Sequence, residues 1–169
     1  MAIDVSSLIT RAQIRALYCD YDRDKLNDAL KYKLTTMYAA IADYLEAIGD
    51  CFYTNIVPRD VVSPQNRERI LIALLASRGG RLTLAMHIYM GLMEGFDEEL
   101  SDGQVTFDDE LSPEEIANII FLVGIYTGSD NMALGLDTLI RTLTKLAKVA
   151  ASDNRTEVAV LKGLSEEFH

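Results

Sequence analysis

Glu68 and His87 carry ionisable side chains where packing alone has no use for them. His87 lies in GGRLTLAMHIYMGLMEG, residues 79–95, among Leu84, Met86, Ile88 and Met90; the other histidine of the chain is its last residue. Glu68 lies in RERILIALLASR, and a helix through that segment places it on one stripe with Leu71, Ile72 and Leu75. A carboxylate on an apolar stripe is costly to bury unless something hydrogen-bonds it. An imidazole can be that partner, and a carboxylate that holds one ring nitrogen fixes the tautomer and leaves the other nitrogen for general acid or base work. The alternative is that His87 caps a backbone carbonyl while Glu68 pairs with an arginine of its own helix. On the face of His87, Gly80 and Thr83 precede it and Gly91 follows one turn later, a pattern of small residues that predicts a notch there.

The charge pattern adds a second feature. Between Arg59 and Arg81 there are five arginines (59, 67, 69, 78 and 81) against Asp60 and Glu68, an excess of three positive charges in a chain whose formal net charge is −10. The planar fork of arginine grips carboxylates through two parallel hydrogen bonds, so this region is a candidate for holding an anionic metabolite. Arg78 also has a structural reading, because a cation in the last turn of a helix suits the helix dipole. Other chemistries lack their residues. His87 has Gly91, not a histidine or glutamate, one turn on, and the chain shows no cluster at metal-ligand spacing. No glycine-rich phosphate loop follows a strand, and no serine sits in an elbow-type turn beside a base. Cys19 and Cys51 are far apart in sequence and form no C-x-x-C, which reads as free thiols in a reducing compartment.

The elements that position these residues read as helices throughout. Residues 7–18 predict a short helix, and 22–48 carry Leu26, Leu30, Leu34, Met37, Ile41, Tyr44, Leu45 and Ile48 at helical spacing before Gly49. Pro58 and Pro64 punctuate a connector. Ser63-Pro64 opens the next helix, which stops at Gly79-Gly80, and another covers 81–95. Residues 97–110 hold seven Asp or Glu and no Lys or Arg, as a solvated acidic loop would. Ser112-Pro113-Glu114-Glu115 is a capping-box start, Ser129 or Asp130 is the expected cap of a helix through Val149, and a tail helix covers 155–167. No strand pattern, repeat or low-complexity tract is visible. The expected fold is all-α, a single domain over 1–169 with six to seven helices. The segments RILIALLA and RLTLAMHIYMGLM are apolar on nearly every side, so both are expected to be enclosed, one of them by a partner subunit.

Bulk properties narrow the functional classes. An acidic chain with a sequence pI of about 4.6 is a poor nucleic-acid binder and a poor match to an anionic membrane surface. The start, MAIDVSSLITRAQIRALY, lacks a basic segment followed by a long apolar run, and no apolar run is long enough to span a bilayer. A cytoplasmic location is the expectation.

The stretch RERILIALLASRGGRLTLAMHIYMGLMEGF, followed by LSPEEIANIIFLVGIYTGSDNMALGLDTL, resembles the carboxymuconolactone decarboxylase family. The likeness lies in order and spacing: an Arg-Glu pair opening a buried helix, a His beyond a Gly-rich break, Met-Glu-Gly, the Ser-Pro-Glu-Glu-Ile helix start and a Tyr-x-Gly turn. It covers residues 64–146, with the helices of residues 1–60 unmatched and the acidic segment 97–110 standing as an insertion. The resemblance implies the all-α bundle shared with alkylhydroperoxidase D-like proteins, assembled as a trimer or hexamer. It further implies a lyase that uses neither metal nor organic cofactor, acting on a small carboxylate or lactone. By the same resemblance His87 transfers a proton during loss of CO₂ and Glu68 orients it, while Arg67, Arg78, Arg81 and Thr83 contact the substrate. In the peroxidase branch a C-x-x-C joins that Glu and His; Gly80 and Thr83 stand at its positions here, so dithiol chemistry has no residues at this site. Two other readings remain: a non-catalytic oligomeric ligand-binding or interaction protein of the same fold, and an atypical antioxidant protein using Cys19 or Cys51.

Overall fold

Local side-chain chemistry sets most of the helix ends in the computed structural model, which describes residues 4–37, 43, 47, 62–97, 106–107 and 111–168. Thr10 starts α1 (Arg11–Tyr18): its hydroxyl accepts from the Gln13 N–H, and the Gln13 side chain accepts from the Thr10 N–H. That reciprocal cap starts the helix at residue 11 rather than 7, with Val5 and Ile9 tucked into the core ahead of it. Helix α2 (Arg23–Met37) follows. The expected continuation to Ile48, the stop at Gly49 and the proline connector fall almost wholly outside the described residues. Ser63 caps α3 (Pro64–Arg78), with Pro64 in its first turn. Gly79 ends α3 in the left-handed conformation, φ 76°, and its N–H donates to the Leu75 carbonyl. Helix α4 (Arg81–Glu94) begins immediately afterwards.

Two expectations are corrected in the second half. The acidic segment is not loop throughout: β1 (Phe96–Asp97) and β2 (Thr106–Phe107) form a short antiparallel ladder, Phe96 opposite Phe107 and Asp97 opposite Thr106. Phe96 is buried and stacks at a tilt on Tyr18, ring centroids 5.0 Å apart, so an apolar anchor holds the start of the ladder against α1. Ser112 caps α5 (Pro113–Thr127) as expected. Neither Ser129 nor Asp130 caps the next helix, however. Both lie inside α6 (Ser129–Ala150), whose cap position is Gly128 at φ 106°. A helix that turns straight out of its predecessor needs that backbone angle, and glycine adopts it without strain. The tail helix α7 is Glu157–Phe168.

Among the described residues the molecule is therefore helical, apart from the one two-residue ladder. Its axis is α4, whose Leu84, Ala85, Met86, Ile88, Tyr89, Met90, Leu92 and Met93 are all buried. Helices α1, α3, α6 and α7 pack around it. Each large apolar side chain withdrawn from water in this way contributes roughly 1.5–3 kcal/mol before the cost of ordering the chain. Small residues permit the close crossings. A methyl group on Gly135 of α6 would lie 2.6 Å from Ile120 of α5 and 3.7 Å from Ala76 of α3, so three helices converge at that point. The chain itself encloses α4, whereas on α3 only Glu68, Ile72 and Ala76 are buried and Ile70 and Leu74 face outward. No helix of the described residues is long and apolar enough to cross a membrane.

Candidate functional site

Helices α3 and α4 fold back on each other across Gly79-Gly80 and bring their two ionisable residues into contact. His87 Nδ1 lies 2.8 Å from Glu68 Oε2. An ionised carboxylate can only accept, so Nδ1 carries the hydrogen that it donates; Nε2 then bears a lone pair in the neutral ring and a proton in the cationic one. Glu68 is 1% exposed, whereas the His87 side chain is 21% exposed, and no described residue hydrogen-bonds Nε2. A sealed carboxylate behind a partly open imidazole is the arrangement in which the ring is oriented from within and works toward the outside.

The close approach depends on Gly91, one of the small residues whose pattern predicts a notch beside His87. A methyl group on Gly91 would lie 3.2 Å from Ile72 Cδ1 and 3.6 Å from Glu68 Cβ. The space one turn beyond His87 is thus filled by α3, and the missing side chain is what lets the two helices come near enough for the Glu68–His87 bond. On the other side the notch is open: among the described residues, a methyl group on Gly80 would meet only Thr83 Oγ1, at 4.0 Å.

Glu68 Oε1 faces two guanidinium groups. Arg67 Nε is 3.8 Å away and Arg23 Nη2 is 3.9 Å away, ion-pair distances longer than a hydrogen bond. Among the described residues, Glu68 Oε1, Arg67 Nε and Nη2, and Arg23 Nε are buried without a hydrogen-bond partner. Buried polar atoms are nearly always satisfied, so a concentration of spare donors beside a Glu–His pair marks a place built for more than packing. Arginine donors of this kind match the oxygens of a carboxylate.

From Arg23 the polar chain runs on. Arg23 Nη1 contacts Glu94 Oε1 at 3.1 Å, and the Tyr21 hydroxyl lies 3.4 Å from the same oxygen. Burial above all, then the nearby Glu94 carboxylate, pushes the Tyr21 hydroxyl far above its ordinary pKa, so it remains a donor at any physiological pH. Tyr21 and Glu94, with Tyr18, Cys19, Met93 and Phe96, line an open cavity of about 390 Å³, within the range of small-molecule sites. Cys19 is a free, exposed thiol; Cys51 falls outside the described residues.

The remaining sequence-derived candidates sit apart. Arg81 pairs with Asp137 of α6 at 3.2 Å, Arg78 is exposed in the last turn of α3, and Thr83 is exposed in the first turn of α4. Arg78 follows Glu68 by ten residues, about 15 Å along the helix axis. Arg59 lies outside the described residues; of the described arginines of that group, Arg67 reaches the pair. Arg23 and Glu94 were not foreseen, because α2 carries Arg23 to the site from 45 positions upstream of Glu68 and no local pattern encodes that approach. No protein-family model, curated protein or solved structure matches the chain.

Proposed function

We propose that this protein is a cofactor-independent lyase or proton-transfer enzyme of the carboxymuconolactone decarboxylase type, acting on a small carboxylated metabolite or lactone. The observation that carries the reading is the 2.8 Å contact between His87 Nδ1 and the sealed Glu68 carboxylate, on a ring that is itself partly exposed. In the decarboxylation version the bond between the carboxylate and its carbon breaks and CO₂ leaves with the proton count unchanged. The electron pair stays on the substrate, spread into adjacent unsaturation, and that carbon takes the Nε2 proton of a ring that solvent has first protonated to the cation. Solvent, which the exposed edge of the ring meets, returns the proton to His87. Glu68 stabilises the cationic ring and holds its orientation, and the Arg67 and Arg23 donors take a carboxylate of the substrate. The test is turnover of a panel of γ-lactone and keto-acid carboxylates by the full chain and by His87→Ala. A loss of roughly a hundred- to ten-thousandfold is expected. Unchanged turnover in the variant, or no turnover of any panel member by the parent, rejects the reading.

One observation favours a second reading. Cys19 is exposed and lines the cavity with Tyr21 and Glu94, where a peroxide could reach it, oxidise the thiol to a sulfenic acid and leave as water or an alcohol. Peroxide consumption that disappears in Cys19→Ser and survives in His87→Ala would select it over the lyase.

A further inference from the structure

The outward faces of α3 and α5 carry an inference that is independent of the catalytic reading. The buried sides of these helices meet at Gly135 of α6, through Ala76 and Ile120. Side chains on the opposite sides therefore turn away from the bundle. They are Ile70 and Leu74 on α3, and Phe121, Leu122, Ile125 and Tyr126 on α5, and their exposures run from 48% to 83%. The helices pack directly on each other, so the six side chains belong to one surface. Scattered exposed apolar residues are ordinary, but six large ones on two adjacent helices are not.

Size and charge indicate what covers them. Set against the ~150–250 Å² of a large side chain, the exposed fractions amount to something on the order of 700 Å² of apolar surface, close to one partner's share of a standard stable interface. Helix α5 carries no charged residue from Ile116 to Thr127. The rim carries both signs, with exposed Arg78 beyond Leu74 on α3, and exposed Glu114 and Asp130 near the two ends of α5. A neutral apolar centre with a rim of mixed sign is self-complementary: a two-fold axis through it can set the arginine of one copy against the acids of the other. A strongly basic or strongly acidic partner would be matched by a rim of one opposite sign, and this rim carries both. We infer that this face is the contact between two copies of this chain.

The experiment is sedimentation equilibrium of the full chain across micromolar concentrations. The parent is expected at a multiple of its 18.8 kDa chain mass. Ile125→Asp and, separately, Leu74→Asp are expected to weaken self-association at least a hundredfold, giving 18.8 kDa monomers with unchanged helical circular dichroism. Both positions are exposed, so neither variant touches the core, and either one suffices if the other misfolds. Arg78→Glu is expected to weaken association by less, through the rim. A parent that is monomeric throughout overturns the proposal, and means that a different molecule covers the face. Oligomers that persist in both aspartate variants also overturn it, by placing the contact elsewhere.

Discussion

Glu68 and Glu157 are both sealed from solvent, yet their oxygens end on different kinds of partner. Glu157, at the start of α7, accepts the backbone N–H of Asp22. Asp22 heads α2: its carbonyl accepts from Leu26, and its side chain accepts from the Asp24 and Lys25 N–H groups. Glu157 thereby does across 135 positions what a capping-box glutamate does three residues on, and ties the last helix to the second. Glu68 accepts from a titratable ring instead, keeps one oxygen without a hydrogen bond, and stands between two guanidiniums with spare donors. The first carboxylate is bonded to the backbone. The second is bonded to a group that can itself change protonation, beside donors still to be filled. Burial alone does not distinguish a structural acid from a chemical one; the identity of the partner does.

That contrast breaks most sharply in paired substitutions. Glu68→Gln keeps an acceptor but loses the charge that stabilises a cationic ring. It should cut turnover of any substrate identified with His87→Ala by about a hundredfold or more while the protein stays folded, measured as kcat with circular dichroism alongside. Glu157→Ala should do the reverse. Turnover per folded molecule is expected to stay unchanged, and urea unfolding should report a loss of about 1–3 kcal/mol from the abandoned N–H and the lost tie between α2 and α7. If Glu157→Ala abolishes that turnover without destabilising the protein, the two glutamates have been assigned the wrong way round.

A smaller effect follows from Asp22. Hydrogen bonding to Lys25, first through the side chain and then through its backbone N–H, holds the Asp22 carboxyl below its ordinary pKa. A carboxyl whose folded value is depressed adds stability above its unfolded value, near pH 3.9, and loses it as pH falls through the depressed one. Comparing denaturation midpoints at pH 6 and pH 3 for the parent and Asp22→Asn should show a smaller acid loss in the variant. The smallest change is expected for Arg81→Ala. The Arg81–Asp137 pair is solvent-exposed, and such pairs contribute about 0–1 kcal/mol. A large activity loss there would draw Arg81 back toward the site.

The sequence disclosed the parts of this architecture that neighbouring residues encode. The Ser63 and Ser112 caps, the Gly79 stop and the enclosure of α4 each rest on a few adjacent side chains, and each is found. Glu68 and His87 stood out because charge and apolar periodicity disagreed at those positions. Arg23 and Glu157 did not stand out, since each acts on a residue brought near only by packing of distant helices. Ser129 misled as a cap because Gly128, through its positive φ, takes the cap position one residue earlier. The short ladder escaped notice because two residues per strand are too few to set up an alternation.

The hairpin at Gly79-Gly80 also makes the site sensitive to a kind of change that substitutions do not reveal. Glu68 precedes Gly79 by eleven residues and His87 follows Gly80 by seven, so the pair depends on both helices keeping count from one turn. Adding or removing a single residue on either side would swing that side chain by about 100° and take it off the shared face. In a lineage of such proteins, drift by insertion or deletion in residues 69–86 would abolish the pair at one stroke while leaving both helices intact. Length between the two residues, more than their neighbours' identities, is what heredity must preserve here.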